Sequence, residues 1–114
     1  MAYSIDDHFT GKVPDVKATY QAIVKAAKEF GPVSEEAKKT SIHLVRKSAF
    51  AGVATQKTAL ILTLKSKTDL QSPRIMRREQ ASASRWHLEV KLDSPRGVDK
   101  ELKRWLKSAY EISG

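Results

Sequence analysis

KKTSIHLVRKSAFAGVATQKTALILTLK, residues 38–65, is the stretch whose reading decides the fold. Strict alternation of apolar and polar residues marks strands with one buried face. Ile42 and Leu44 share one side of a first strand, with Ser41, His43 and Val45 on the other. Phe50-Ala51-Gly52-Val53 reads as a second strand, and Thr55-Gln56 as the turn that follows it. Leu60, Leu62 and Leu64 then alternate with Ala59, Ile61 and Thr63, so a third strand has an aliphatic inner face. A glycine within a strand marks a bulge or a close backbone approach, and Gly52 is assigned one of those roles. The stretch is a β-meander.

The flanks supply helices. Val13, Val16, Tyr20, Ile23, Ala27 and Phe30 recur at spacings of three and four, which predicts a helix over residues 14–30. Pro14 and Asp15 suit its start, and Gly31-Pro32 its end. Ser34-Glu35-Glu36-Ala37 reads as one further helical turn leading into the meander. Beyond it, residues 66–73 are a loop by composition, Arg74 to Glu79 a short strand or an exposed basic segment, and residues 80–84 a turn or connection. Trp86, Leu88, Val90 and Leu92 alternate with Arg85, His87, Glu89 and Lys91 in a further convincing strand. A last helix over residues 98–112 buries Val98, Leu102, Trp105, Leu106, Ala109 and Ile112, and turns Lys100, Lys103, Arg104 and Lys107 to solvent.

Together these predict a single α+β domain over residues 1–114 in the order α-β-β-β-(β)-β-α. An antiparallel sheet of about four strands carries an N-terminal and a C-terminal helix on one face, and alternation leaves the other face open. His43, Val45, Ile61, Thr63, Arg85, His87, Glu89 and Lys91 fall on that open face.

Composition narrows the chemistry. The 114 residues hold no cysteine, which excludes disulfides, thiol nucleophiles and cysteine-based zinc sites. Hydrophobic residues at 40% and charged residues at 30% describe a soluble globular chain with neither a bilayer-spanning run nor a secretory signal, so the cytoplasm is the expected location. Lysine and arginine number 21 against 13 aspartate and glutamate, a net charge of +8 whose field attracts polyanions.

Residue patterns for catalysis are missing. There is no glycine-rich phosphate loop, Gly-x-Ser-x-Gly elbow, His-Glu-x-x-His or paired-carboxylate signature, and no cofactor is implied. Asp6, Asp7 and His8 lack a further ligand at metal-binding spacing, as do His43 and His87. Phe50 and Trp86 sit in register with aliphatic neighbours and read as core rather than as stacking platforms. Arg46, Lys57, Arg74 and Arg85 are candidates to converge on a phosphate or carboxylate, since guanidinium offers a fork of donors matched to those oxygens.

Lys39-Thr40-Ser41-Ile42-His43-Leu44-Val45-Arg46, Phe50-Ala51-Gly52-Val53, Lys57, Trp86, Asp99 and Ala109-Tyr110 together resemble the bacterial domain-of-unknown-function family numbered fifty-six fifty-five. The resemblance runs from His8-Phe9-Thr10-Gly11-Lys12 to Tyr110, and departs where Thr55 replaces a proline often found before the Lys57 position. It implies a domain that occurs alone or at the end of larger, sometimes nuclease-like chains. It carries over no catalytic residues.

The expected function is a non-catalytic module that engages a polyanion, nucleic acid foremost, through the open sheet face and its basic rim. His43, Arg46, Lys57, Arg74, Arg85, His87 and Lys91 are the expected contacts. The alternatives are a small-anion-binding or enzymatic domain built on His43, His87 and neighbouring cations, and a protein-interaction domain whose charge serves solubility.

Overall fold

A computed structural model describes residues 3–114. Helix α1 (Pro14–Lys28) is followed by strands β1 (Ser34–Ala37), β2 (Ile42–Val45), β3 (Ala49–Thr55), β4 (Leu60–Ser66), β5 (Ile75–Ser82) and β6 (Arg85–Leu92), then helix α2 (Lys100–Glu111). The six strands form one sheet in the order β1-β2-β3-β4-β6-β5, antiparallel at every pair. The fold is α+β, as read, with six strands where about four were expected.

The central strands follow their alternation. Ile42 and Leu44 of β2, Leu60, Leu62 and Leu64 of β4, and Leu88, Val90 and Leu92 of β6 are all buried. Val16, Ile23 and Ala27 of α1 and Leu102, Leu106 and Ala109 of α2 close over them from one side. Val13, read as part of the α1 stripe, is instead 38% exposed. It precedes the first helical turn in extended backbone, and its amide donates to the Lys57 carbonyl at 2.9 Å.

Both additional strands lie at the sheet edges. Ser34-Glu35-Glu36-Ala37 pairs along β2 from Ser34↔Val45 to Ala37↔Ile42 rather than extending a helix. Glutamate and alanine favour helix locally, but tertiary pairing overrides so short a preference. Glu35 is also tied down from the helical layer, because the Tyr20 hydroxyl donates to its Oε1 at 2.6 Å. Burial first, and then the hydrogen bond to Glu35, pushes the Tyr20 hydroxyl pKa far above its usual value, so the phenol stays protonated.

At the other edge, β5 runs through residues 80–82, so the turn or connection expected over residues 80–84 narrows to Ala83-Ser84. Only Ile75 of this strand is buried. Its pairing with β6 shifts register between Ile75 and Arg77 and again between Gln80 and Ser82. Irregular pairing and a run of charged side chains are standard protections for an exposed edge.

Gly52 makes no bulge. The register shift between β2 and β3 falls two residues earlier: Leu44 pairs with Ala51 and Val45 with Ala49, leaving Phe50 as the extra residue. The bulge lets both Phe50 and Ala51 enter the core. Phe50 meets Tyr110 of α2 edge-on, with ring centroids 5.3 Å apart.

Tyr110 also fixes the end of α1. Its hydroxyl donates to the Pro32 carbonyl at 3.1 Å, and a Cβ on Gly31 (φ 149°) would collide with that hydroxyl. The residue must be glycine both for its backbone angle and for this approach. Helix α2 starts at Lys100, two residues later than read, because the 3₁₀ turn at Pro95–Gly97 takes up the preceding chain. Asp99 caps it, accepting from the Leu102 amide at 3.0 Å. Among the described residues no helix is long and apolar enough to cross a membrane.

Candidate polyanion interface

The sheet face away from the helices carries the residues expected there. His43 pairs with Gly52, Gly52 with Thr63, and Thr63 with Glu89, so these four form one row across the sheet. Lys65 and His87 pair in the next row. Because Gly52 has no side chain, the His43 ring leans over it, with Cδ2 3.9 Å from where a Cβ would stand. The result is a shallow depression of about 280 Å³ bordered by His43, Thr63, Lys65 and His87.

His43 and His87 are three strands apart, about 14 Å at ordinary strand spacing, so they cannot ligate one ion. Among the described residues no group of three or more His, Asp or Glu side chains is arranged to hold a metal. The charge of this face is close to balanced. Lys65, Arg77, Arg85 and Lys91 share it with Glu36, Glu79 and Glu89, and Arg77 lies 3.5 Å from Glu79 and 3.9 Å from Glu89.

The four cations expected to converge are dispersed. Arg46 and Lys57 flank opposite ends of β3, a seven-residue strand about 20 Å long. Arg46 is turned to the end of α2: its Nη1 donates to the Tyr110 carbonyl at 3.1 Å, and its Cζ lies 4.4 Å from the Tyr110 ring centroid. That is helix capping combined with cation–π stacking. Lys57 is exposed in the β3–β4 turn, and Lys91 is exposed near the far end of β6 from Arg85. Arg85 donates to the Ser84 carbonyl at 2.9 Å.

Arg74 is the most heavily committed. Its Nη1 donates to Asp99 (2.9 and 3.1 Å to the two carboxylate oxygens) and to Glu101 (3.1 Å), its Nη2 to the Gly97 carbonyl at 2.8 Å, and the guanidinium lies over Trp105 at 5.7 Å from the ring centroid. The Leu102 amide first, and then Arg74, holds the Asp99 carboxyl below its ordinary value. This junction fastens the start of β5 to the start of α2. Arg74→Ala is expected to cost about 2 kcal/mol, since charge-assisted hydrogen bonds are lost from a half-exposed site. Lysine, lacking the fork, should restore only part of the loss. Urea denaturation measures both variants, and an unchanged midpoint in Arg74→Ala would contradict this role.

A cluster of unpaired cations lies on α2, although cations without a carboxylate partner among the described residues also occur elsewhere, such as Lys57, Lys65, Arg85 and Lys91. Lys100, Lys103, Arg104 and Lys107 fall at i, i+3, i+4 and i+7, one face of the helix, and all four are exposed. None is paired with a carboxylate among the described residues, whereas Lys17, Lys28, Lys38, Arg74, Arg77 and Arg78 all are. Asp99 and Glu101, the acids at the start of this helix, are both occupied by Arg74. Phe30 borders the four cations.

Beside them a groove of about 470 Å³ opens between α2 and the chain that leaves β4, lined by Arg104, Lys67 and one carboxylate, Glu111, together with Trp105, Leu64, Leu70 and Leu88. From the sequence these four cations read only as the solvated face of the last helix. The available signal was their common helical face with few acids interspersed.

A six-stranded antiparallel sheet covered on one side by two helices, one of them carrying four cations on one face, defines a small two-layer α+β domain. The family model described as Domain of unknown function (DUF5655) matches residues 5–113, and the chain belongs to that family. Comparison with curated proteins and with solved structures returned no match.

Proposed function

We propose that this domain is a non-catalytic polyanion-binding module, with nucleic acid as the polyanion and the outer face of α2 as the principal contact surface. The observation that carries this reading is the set of four exposed, unpaired cations on one helical face, Lys100, Lys103, Arg104 and Lys107. A phosphate backbone can run along such a face and release its condensed counterions on binding. The near-balanced open sheet face is assigned a lesser part than the sequence alone suggests, with Lys57, Arg85 and Lys91 as peripheral contacts. Arg46 and Arg74 serve the fold.

The test is fluorescence anisotropy of a labelled single-stranded oligonucleotide across a salt series. Four phosphate contacts give a log–log slope of about −3. A slope near zero, or no binding at low salt, overturns the reading.

The depression between His43 and His87 favours one second reading, a small-anion site on the open face. Inorganic phosphate would then shift the imidazole resonances of both histidines in a saturable way, and unshifted resonances would remove this alternative.

A further inference from the structure

We infer that the groove beside α2 receives an unstacked nucleobase against Trp105, so that the polyanion preferred by this domain is single-stranded nucleic acid. The inference rests on the reading of α2 as a polyanion surface and adds the form of nucleic acid it selects.

The groove has the attributes of a base site. Its volume, about 470 Å³, lies within the range of ordinary small-molecule sites. Leu64, Leu70 and Leu88 supply an apolar interior, and Trp105, half-buried on α2, an aromatic wall. The indole is held in place: the Arg74 guanidinium lies over its ring, and that guanidinium is itself fixed by Asp99, Glu101 and the Gly97 carbonyl. A pre-positioned aromatic loses little freedom when a base packs on it. Thr68 and Ser108 are also in the lining and offer hydroxyls to base edges.

Charge continuity links this groove to the proposed backbone track. Arg104 lines the groove and also belongs to the basic face with Lys100, Lys103 and Lys107. Lys67 lines it on the strand side, and the single carboxylate of the lining, Glu111, sits at the C-terminal end of α2, away from Lys100 and Lys103. A strand whose phosphates follow α2 therefore has its bases beside Trp105. A duplex keeps its bases stacked and paired, and would have to extrude one to use the groove, at a cost of a few kcal/mol. Single strands carry no such cost.

Fluorine NMR of protein labelled with fluorotryptophan tests this with both tryptophans present, the two resonances being assigned by Trp86→Phe. Oligothymidylate, a duplex of equal length and inorganic polyphosphate are titrated separately, with binding followed in parallel by salt-dependent anisotropy or competition. The expected result is a saturable shift of the Trp105 resonance with oligothymidylate, and binding of polyphosphate and duplex without it. Trp105→Leu should then weaken oligothymidylate on the order of tenfold and leave polyphosphate unchanged. Oligothymidylate that binds with a steep salt dependence yet leaves Trp105 unshifted would overturn the groove inference and leave the α2 reading standing. Equal shifts with all three polyanions would overturn it likewise, and failure of all three to bind would remove both.

Discussion

Replacing Lys100, Lys103, Arg104 and Lys107 together by glutamine should weaken binding of a single-stranded oligonucleotide by about a thousandfold at 0.1 M salt. The size follows from counterion release: each lost phosphate contact removes about 0.7 from the slope of log affinity against log salt, so four contacts account for nearly three decades at that salt. The same variant should flatten the slope by about three. Folding should survive, because glutamine is nearly as good a helix former as lysine or arginine. The substitutions also relieve the like-charge pairs Lys100–Arg104 and Lys103–Lys107, each four residues apart. The matched control is Lys57→Gln, Arg85→Gln and Lys91→Gln combined, on the sheet side, where only a small loss is expected. A larger loss from the control than from the α2 variant would contradict the assignment of the surface.

The second large effect concerns stability. Phe50→Ala should cost about 3–5 kcal/mol, the range for removing a fully buried aromatic side chain. Phe50 has no exposed surface and occupies the bulge between β2 and β3, where the backbone has been diverted to insert it. Its ring abuts Tyr110, which in turn stacks under Arg46 and reaches the Pro32 carbonyl. Deleting the ring leaves a cavity where the hairpin, the end of α1 and the end of α2 meet. Against the 5–15 kcal/mol typical of a domain, this is a large share. Urea unfolding measures it, and a loss below about 1 kcal/mol would show that the site collapses around the gap.

Both helices and the strands β2, β4 and β6 were legible in the sequence because each presents one face to a common core, and a one-sided environment writes a period into the chain. Ile42 and Leu44, or Leu88, Val90 and Leu92, can be read without any partner in view. The edge strands carry no such record. Three of the four β1 residues are exposed, with helix-favouring glutamates among them, and β5 buries only Ile75. Their strand character comes from hydrogen bonding to a neighbour, which has no local signature.

The candidate surface was legible in kind and not in place. That the chain is basic is a count; which cations are free is a matter of tertiary contacts. Arg46 is taken up by Tyr110, 64 positions away, and Arg74 by Asp99, 25 positions away. Neither spacing is periodic, so neither commitment can be read from the chain. The cations of α2 stood on one helical face in plain view, but their lack of carboxylate partners emerged only with the fold.

The most direct test of the central claim is a titration of isotope-labelled protein with a short single-stranded oligonucleotide, followed by amide chemical shifts at low and near-physiological salt. The account predicts perturbations concentrated on α2, from Lys100 to Lys107, and on Lys67 across the groove, all weakening as salt rises. Perturbations confined to the open sheet face around His43 and His87, or a spectrum unchanged at low salt, would contradict it.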